Sequence, residues 1–434
     1  MLDINFIRKN AERVKEFSKQ KGYDVDVDGV LDLDERRRNL TTTIDKLRGE
    51  RNSLSSEAKK SGKPSSESIA RGKAIKDEIS NLEKELANID EEYIELLKRI
   101  PNAPADDVPL GSTEDENVIS EVVGEPTKFS FTPKNHYEIG VARGWIDKER
   151  AAKVAGSRFA YIMGDMVKLQ MAIVQFVINT LSSEEKIKEI ISSANLRGIS
   201  SKPFTPILPP LMIKTELYDA MDRLEPRADR YQIASEELWL QGSAEHVLGS
   251  MHADEIFPEA DLPIRYLGYA TSFRQEAGTY GKDMEGIIRM HQFDKLEIES
   301  FSTKETSLNE HLFFVSIQRY LLEQLELPYR VLQKCTVDIG KPNARGIDME
   351  VWLPGQGKYR ETHTADYMTD YQARRLKTRV RRSNGEVELV HTNDATAFAL
   401  GRIMIAIIEN NQTEDLKIKI PKALSPFLGG VAEL

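Results

Sequence analysis

The sequence predicts an α+β protein in which an N-terminal antiparallel helical hairpin precedes a larger domain that contains β-strands. Three observations support this class. The length of 434 residues exceeds the size at which one hydrophobic core usually stops growing. Apolar residues recur at heptad spacing between residues 31 and 100. Residues 271–301 instead alternate apolar and polar on both sides of a glycine-containing loop, which is typical of a strand, a loop and a returning strand.

Residues 1–100 are expected to be largely helical. Apolar residues recur at helical spacing between residues 4 and 17, until Gly22 ends a first amphipathic helix. A series of leucines seven residues apart follows, and after a break a second apolar series alternates spacings of four and three. The break at residues 60–66 contains a glycine and a proline, which end a helix, and Ser66, which can cap the next one. Two antiparallel helices are therefore predicted.

The turn of this hairpin is basic, although the whole chain carries a net charge of −10. Six cations lie around it against the single acid Glu67: Lys59, Lys60, Lys63, Arg71, Lys73 and Lys76. A helix over residues 31–60 would be about 45 Å long at ~1.5 Å per residue, so the hairpin should project as an arm. The heptad pattern by itself favours a dimerising or merely structural coiled coil, and the tight turn and the basic tip argue against that alternative.

After residue 100 the periodicity stops. A linker is predicted from residue 101 to about residue 123, where proline, paired aspartates and glycine interrupt the pattern. Further along, a nearly all-apolar helix is predicted over residues 167–181 and should be buried, and residues 348–354 alternate as a strand. The predicted domains are 1–110 for the arm and 111–434 for the rest.

Composition excludes several classes of protein. The chain is 40% hydrophobic and 30% charged, and it has no run of about 18 apolar residues, so no membrane span is expected. The N-terminus lacks the basic and apolar regions of a secretory signal, so a cytoplasmic location is expected. The single cysteine, Cys335, excludes an internal disulfide and a cysteine-rich zinc site, and the histidines show no metal-binding spacing. No zinc or structural metal is predicted.

The returning strand of residues 271–301 carries the residue types of a binding site. Alternation places five side chains on one face: Arg289, His291, Phe293, Lys295 and Glu297. Arginine can hold phosphate oxygens, an aromatic ring can stack on a base, and a carboxylate can receive an ammonium group. An aminoacyl-adenylate has those three parts in that order. The alternative is a solvent-facing hairpin whose charges pair only with each other, which is common for single ion pairs but does not explain the joint arrangement.

Two stretches of this segment resemble motif 2 of the class II aminoacyl-tRNA synthetases, and their residues are most similar to those of seryl-tRNA synthetase. The stretches are Phe273-Arg274-Gln275-Glu276 and Arg289-Met290-His291-Gln292-Phe293. Residues 194–218 resemble motif 1, and residues 391–402 resemble motif 3, read as a small-residue turn that feeds a helix. The resemblance covers essentially the whole chain in family order. It implies a homodimer with an arm that binds tRNA(Ser) through the six cations of the tip, and a catalytic domain built on a mixed, largely antiparallel sheet flanked by helices.

The resemblance implies that ATP binds through motifs 2 and 3. Arg274 would contact the α-phosphate, Glu276 the adenine side and Arg289 the γ-phosphate end. Phe293 would stack on adenine, with Arg402 against the opposite face. These four charged residues form the predicted catalytic group. The remaining predicted ATP contacts are Gln275, Glu361, Thr362, His363 and Thr364.

Two of these residues, Glu361 and Thr364, are also candidate ligands of Mg²⁺, a hard cation that takes few protein oxygens and shares those of phosphates. Thr364 replaces the serine usual in the family, and residues 365–367 also depart from the family pattern.

By the same resemblance, L-serine would be bound by Ser243, Glu245, Glu297 and Thr396. Glu297 would pair with the ammonium group and Thr396 would bind the hydroxyl. Ser243 stands where the family usually has threonine, which keeps the hydroxyl group. Asp394 stands where the family typically has asparagine, which adds a negative charge near the pocket.

The implied reaction is the activation of L-serine by ATP, followed by transfer of the seryl group to the 3′ end of tRNA(Ser). Two alternatives remain. A related enzyme could load an amino acid on a carrier protein, but it would not need the long arm. A non-catalytic paralogue could keep the fold, but every residue implied in phosphate binding is present.

Overall fold

The computed structural model of the chain describes residues 1–60, 62, 65–277 and 286–434, apart from the side chains of Ala58 and Lys60. It divides into two compact units, Met1–Ala103 and Pro104–Leu434. Within the described ranges no helix is both long and apolar enough to cross a membrane.

The N-terminal unit is helical, with helices α1 (Ile4–Lys9), α2 (Ala11–Gln20), α3 (Val27–Lys60) and α4 (Ser66–Arg99). The single helix predicted near the N-terminus is divided at Asn10, whose φ of −137° interrupts helical geometry. Ser65 caps α4, because its hydroxyl accepts a hydrogen bond from the backbone N–H of Ser68 at 3.1 Å. The cap therefore lies one residue before the predicted Ser66.

An apolar seam holds α3 against α4, as the heptad spacing predicts. Its centre is a cluster of Ile44, Leu47, Ile75 and Ile79, with Leu54, Leu82 and Leu86 packed against it. Ion pairs cross between the helices at Arg37–Asp90, Arg48–Glu83 and Arg71–Glu50. Exposed pairs of this kind contribute little, so burial of the seam is the main source of stability.

The C-terminal unit mixes helices and strands. Its helices are α5 (His136–Ala142), α6 (Lys148–Ala155), α7 (Asp165–Leu181), α8 (Glu184–Ser193), α9 (Thr215–Ala220), α10 (Glu245–Ser250), α11 (Ser307–Gln324), α12 (Tyr371–Leu376) and α13 (Leu400–Asn410). Its strands are β1 (Val118–Val123), β2 (Ile146–Asp147), β3 (Tyr161–Ile162), β4 (Thr205–Ile207), β5 (Met212–Lys214), β6 (Leu238–Leu240), β7 (Ile256–Pro258), β8 (Ile264–Phe273), β9 (Gln292–Ser302), β10 (Tyr329–Gln333), β11 (Arg345–Leu353), β12 (Lys358–Thr369), β13 (Arg379–Arg381), β14 (Val387–Leu389) and β15 (His391–Ala399).

The main sheet has the strand order β1-β10-β11-β12-β15-β9-β8-β4. Neighbouring strands are antiparallel except at the edge, where β4 pairs in parallel with β8. The mixed, largely antiparallel sheet is therefore confirmed. Two local expectations were wrong. Val118–Val123, placed at the end of the linker, forms strand β1, and the stretch read as a small-residue turn is strand β15, which runs directly into α13.

The two faces of this sheet differ in chemistry. Leu296 and Ile298 of β9 join a large apolar core that includes α7, α11 and α13, so the helix predicted over residues 167–181 is buried as expected. The alternate residues of β9, Lys295, Glu297 and Glu299, point to the opposite face and are buried as well. Charged groups that are buried on one side of a sheet need partners there.

Candidate active site

A pocket opens on the polar face of the sheet, and its empty space, counted together with the solvent at its mouth, is about 710 Å³. Charged and hydroxyl side chains and a short apolar wall line it: Arg274, Glu276, Ile287, Ile288, Arg289, Met290, Phe293, Lys295, Glu361, Thr362, Thr364, Thr396, Ala399, Gly401 and Arg402. These residues come from the connection between β8 and β9 and from β9, β12, β15 and α13. The fold thus brings together segments that are more than a hundred residues apart in sequence.

One end of the pocket is formed where β8 ends and β9 begins. The backbone N–H of Arg274 donates to the carbonyl of His291 at 2.9 Å, which holds the two sides of the connection together. The Arg274 guanidinium lies over the Phe293 ring, with Cζ 5.4 Å from the ring centroid, and its Nε donates to the Gly242 carbonyl at 2.9 Å. The cation fixed on the predicted base-stacking ring is therefore Arg274.

The other arginines at this end are paired with carboxylates. Arg289 Nη1 donates to Glu276 Oε2 at 2.5 Å. Arg402 Nη1 donates to the Glu361 carboxylate at 3.0 Å and to the Glu361 backbone carbonyl at 2.7 Å. In this arrangement Arg402 contacts Glu361, while Arg274 is the arginine over Phe293. These four paired residues, all predicted to bind ATP, thus line one pocket and form two ion pairs there.

The opposite end of the pocket is fully buried and centres on Lys295. Its Nζ pairs with the Glu297 carboxylate, donates to Ser243 Oγ at 2.9 Å and lies 3.8 Å from Glu245 Oε2. Glu297 and Ser243 are 0% exposed and Glu245 is 8% exposed. Thr396 stands directly beside Glu297 on the neighbouring strand. The four residues predicted to bind serine are therefore adjacent, and Lys295 lies among them.

Burial and charge set opposite protonation states for these two acids. Burial raises the pKa of Glu297 to about 8, although Lys295 acts against this. Burial also acts to raise the pKa of Glu245, but the charge of Lys295 and the contact with the neighbouring His246 ring hold that pKa well below its usual range. Burial lowers the pKa of His246 to about 4. At neutral pH the site thus contains an ionised Glu245, a largely protonated Glu297 and an uncharged His246.

A row of acids crosses the sheet below these residues. Asp366, Asp394 and Glu299 are cross-strand neighbours on β12, β15 and β9. Arg223 Nη2 lies 3.5 Å from Asp394 Oδ2 and 3.7 Å from Asp366 Oδ2. Its Nη2 also donates to Asn343 Oδ1 at 3.3 Å. Burial raises the pKa values of Asp394 and Glu299 well above their ordinary range, with the other acids adding to the effect. The extra acid at Asp394 is therefore accommodated by protonation and by Arg223.

Glu361 and Thr364 lie on one wall of the pocket, because the register of β12 against β11 shifts near Glu350 and leaves Thr362 as an extra residue. One carboxylate and one hydroxyl suit a Mg²⁺ that takes its other ligands from phosphate oxygens. In the part of the chain that the structure describes, no group of three His, Cys, Asp or Glu side chains is placed to hold a metal by itself. The residues present fit a metal that arrives with a nucleotide.

Six residues of the predicted site do not line the pocket itself. Ser243, Glu245 and Glu297 contact its lining residue Lys295. The other three are Gln275, His291 and His363. The Gln275 side chain donates to the Arg230 carbonyl at 2.7 Å. His363 is 1% exposed and its ring lies 5.4 Å from that of Phe398. The alternation that placed His291 beside Phe293 was wrong, because β9 begins only at Gln292, and the His291 ring instead packs 5.3 Å from Phe159.

Two charged residues of the site had no predicted role. The sequence could have indicated a role for Lys295, since this residue lies two residues before Glu297 and therefore on the same face of the strand. Arg223 had none, because it follows a short helix far from the acids that it meets.

In the N-terminal unit, the described members of the predicted tRNA-binding set are exposed: Lys59, Arg71, Lys73 and Lys76. Arg71 is paired with Glu50 of α3, its Nε 2.7 Å from the carboxylate. The side chain of Lys60 and all of Lys63 lie outside the described residues.

Comparisons with known proteins agree with this layout. Residues 1–104 match the family described as Seryl-tRNA synthetase N-terminal domain, and residues 229–411 match the tRNA synthetase class II core domain (G, H, P, S and T). The chain is 38% identical over 435 residues to the serine–tRNA ligase of Dictyoglomus turgidum, covering 99% of this chain and 98% of that protein.

Two solved structures are similar over the full length. A seryl-tRNA synthetase from Pyrococcus horikoshii complexed with ATP superimposes with a TM-score of 0.89 at 36% identity, covering 100% of this chain and 99% of the other. A cytoplasmic serine–tRNA ligase from Naegleria fowleri in complex with AMP gives a TM-score of 0.85 at 26% identity, with 100% and 98% covered.

Proposed function

Since the chain belongs to the seryl-tRNA synthetase family and is a class II serine–tRNA ligase, we propose that its pocket joins ATP to L-serine and that its helical arm binds tRNA(Ser). The observation that carries the proposal is the pocket itself. It combines a half-exposed end with three arginines and an aromatic ring, and an inner end at Lys295 and Thr396. Buried Glu297, Glu245 and Ser243 lie against Lys295 at this inner end. A nucleotide suits the first end and a small amino acid suits the second.

In the first step the serine carboxylate attacks the α-phosphorus of ATP and pyrophosphate leaves. No protein nucleophile takes part, so the enzyme contributes positioning and charge. Arg274 belongs to the nucleotide end, and its charge also acts on Lys295 and Glu297, so it would stabilise the charge that builds on the α-phosphate next to the amino acid. Phe293 would stack on adenine, Glu276 would contact its edge, and Arg289 would hold the γ-phosphate. Arg402 would leave Glu361 to cover the other face of the base.

Mg²⁺ bound with the nucleotide would be held by Glu361 and Thr364 and would neutralise phosphate charge. The ATP complex of the Pyrococcus horikoshii structure supports ATP as the nucleotide. Gln275 and His363 would act from outside the pocket, Gln275 by fixing the connection after β8 and His363 by packing behind Thr362, whose hydroxyl lies 2.7 Å from its Nδ1.

At the buried end, serine would place its ammonium group on Glu297 and Glu245 and its hydroxyl beside Thr396, with Ser243 as a further hydrogen-bond partner. Binding at buried polar groups favours serine over analogues that lack its hydroxyl group, because such an analogue leaves those groups unpaired.

In the second step the seryl group passes to the 3′ end of tRNA(Ser). The exposed cations of the hairpin tip would bind the tRNA phosphates, and Arg71 would exchange Glu50 for a phosphate. A cytoplasmic location fits a reaction that consumes ATP and loads tRNA. We also propose a homodimer, because the edge strand β4 is followed by exposed apolar residues, with Leu208 at 81% and Met212 at 46% exposure.

The direct test is ATP–pyrophosphate exchange with serine, threonine, alanine and glycine. Serine should support exchange at least about tenfold faster than the others. Exchange with none of the four would favour a non-catalytic paralogue, and a preference for another amino acid would overturn the assignment of the serine pocket.

The role of the arm is tested by deleting residues 39–86 and closing the shortened hairpin with a glycine-containing turn. Serine-dependent exchange should survive, because the described residues that line the pocket all lie between Arg274 and Arg402. Charging of tRNA should collapse. Replacing Lys59, Lys60, Lys63, Arg71, Lys73 and Lys76 together should give a milder loss and a weaker salt dependence of tRNA binding. Normal charging by the shortened protein would make the arm structural and would favour a carrier protein as the acceptor.

A further inference from the structure

Lys295 fills the place that an ammonium group of the substrate would take. Its Nζ pairs with Glu297, bonds Ser243 Oγ at 2.9 Å and lies 3.8 Å from Glu245. These are three of the residues proposed to receive serine. The Lys295 side chain is itself 8% exposed, so its charge is held by these partners and not by water.

A second ammonium group cannot simply be added to this arrangement. Glu297 is 0% exposed, and Lys295 is the cation that lies against it among the described residues. Two cations at one buried carboxylate repel each other, and neither is screened by solvent. A substrate ammonium group that takes the Glu297 oxygen now facing Lys295 therefore displaces this lysine.

The displaced lysine has open space on its pocket side. Lys295 also lines the main pocket, together with Arg274 and Thr396, so its ammonium group can turn from Glu297 toward the space between the two ends. The α-carboxylate of an amino acid is separated from its ammonium group by a single carbon atom. When the ammonium group meets Glu297, the carboxylate lies within reach of the lysine that has just left.

We infer that Lys295 is an internal stand-in for the substrate ammonium group, and that this exchange makes the site select α-amino acids over simple amines. The inference rests on the proposed serine pocket and adds a specificity-determining residue to it. A zwitterion brings one positive and one negative charge, so every buried charge keeps a partner after the exchange. An amine without a carboxylate brings only a positive charge and gives Lys295 no anion in place of Glu297, so two buried cations must share the existing carboxylates, which is costly.

The test compares the binding of L-serine with that of ethanolamine, which is serine without its carboxylate, by calorimetry on the full-length protein. Wild type should bind serine at least about a hundredfold more tightly than ethanolamine. In Lys295→Met no lysine has to be displaced, so ethanolamine should bind more tightly than to wild type while serine binds less tightly. The ratio of the two dissociation constants should fall at least about tenfold, and an unchanged ratio would overturn the inference.

Two further measurements keep the outcomes separate. Glu297→Gln should lose serine binding. If this variant binds serine as wild type does, the proposed serine pocket is wrong. If Glu297→Gln loses serine binding but Lys295→Met leaves the ratio of the two dissociation constants unchanged, only the proposed exchange is overturned. Binding of ATP to each variant serves as the control for folding.

The wild-type protein supplies a test that needs no variant. Acetate can supply the carboxylate that ethanolamine lacks, so ethanolamine should bind several-fold more tightly in the presence of saturating acetate than in the same concentration of chloride. Independent binding of the two compounds would contradict the exchange.

Discussion

The two ends of the pocket hold their charges differently. At the nucleotide end, Arg289 and Glu276 are 27% and 13% exposed, and Arg402 and Glu361 are 27% and 52% exposed. At the amino-acid end, Lys295 and Glu297 are 8% and 1% exposed. Water screens the first set of pairs, so those pairs can open at low cost. The buried pair can open only if each partner receives another, since an uncompensated buried charge is costly.

This difference in exposure indicates which end of the pocket discriminates between ligands. A nucleotide carries several negative charges and can take over the arginines of the exposed end one at a time. The buried end instead requires a ligand whose charges and hydrogen-bonding groups match the site at once. Discrimination between small molecules should therefore depend on the buried end, and the catalytic rate on Arg274 of the nucleotide end.

The largest effect is expected for Arg274→Ala, because this guanidinium serves the reacting phosphate. Loss of one group that stabilises developing charge typically costs about 10²–10³ in rate, so serine-dependent exchange should fall by that factor with an unchanged fold. Steady-state exchange assays measure the loss. Arg379→Ala is a matched control, because Arg379 is a partly exposed arginine paired with Asp254 away from the pocket. Near-normal exchange by folded Arg274→Ala would refute its role.

Glu297→Gln tests the buried end directly. The amide keeps the shape of the side chain but cannot carry the charge that the ammonium group needs. The KM for serine should rise at least about tenfold while the KM for ATP changes little. Glu276→Gln, at the exposed end, should show the reverse preference with a smaller change. Equal effects of Glu297→Gln on both substrates would mean that the two ends are not separate sites.

The pH dependence should differ between the ends. With a pKa of about 8, Glu297 is mostly protonated at pH 7 and must lose its proton to pair with the substrate ammonium. The KM for serine should therefore fall as pH rises from 6.5 to 8, by up to about tenfold per pH unit, and then level off. The KM for ATP, measured under the same conditions as a control, should stay nearly constant from pH 7 to 8. In Glu297→Gln the pH dependence for serine should disappear, and its persistence there would assign the titration to another group.

Asp394→Asn should have the smallest effect on activity. Because the pKa of Asp394 is raised well above its ordinary range, the folded protein holds this carboxyl protonated, and asparagine resembles that neutral form. Exchange activity should stay within about threefold of wild type. A rise from no activity to strong activity would instead mean that Asp394 inactivates the natural protein.

The stability of the same variant carries a second prediction. A carboxyl with a raised pKa in the folded state stabilises the protein below its unfolded pKa and loses that contribution as pH rises toward the folded value. Asparagine has no such loss. The difference in Tm between Asp394→Asn and wild type should therefore shift in favour of the variant from pH 5 to pH 8.5. A difference that does not change with pH would mean that Asp394 is ionised in the folded state.

The sequence by itself determined the parts of this protein that depend on local pattern. The α3–α4 seam follows from heptad spacing, the buried helix α7 from a nearly all-apolar segment, and the positions of Phe293 and Glu297 from strand alternation. Each of these features depends on neighbours only a few residues apart. Where alternation was extended beyond the strand, to His291, it failed, because the chain turns before Gln292.

Only the tertiary structure decided which charges meet. Arg223, Asp366 and Asp394 come from separate parts of the chain, and no sequence spacing relates them. The same holds for the Lys295 ammonium group, which the sequence places on the correct face but not against Ser243, Glu245 and Glu297. Electrostatic partners form through space and their strength depends on burial, and both are properties of the packed sheet and not of any single segment.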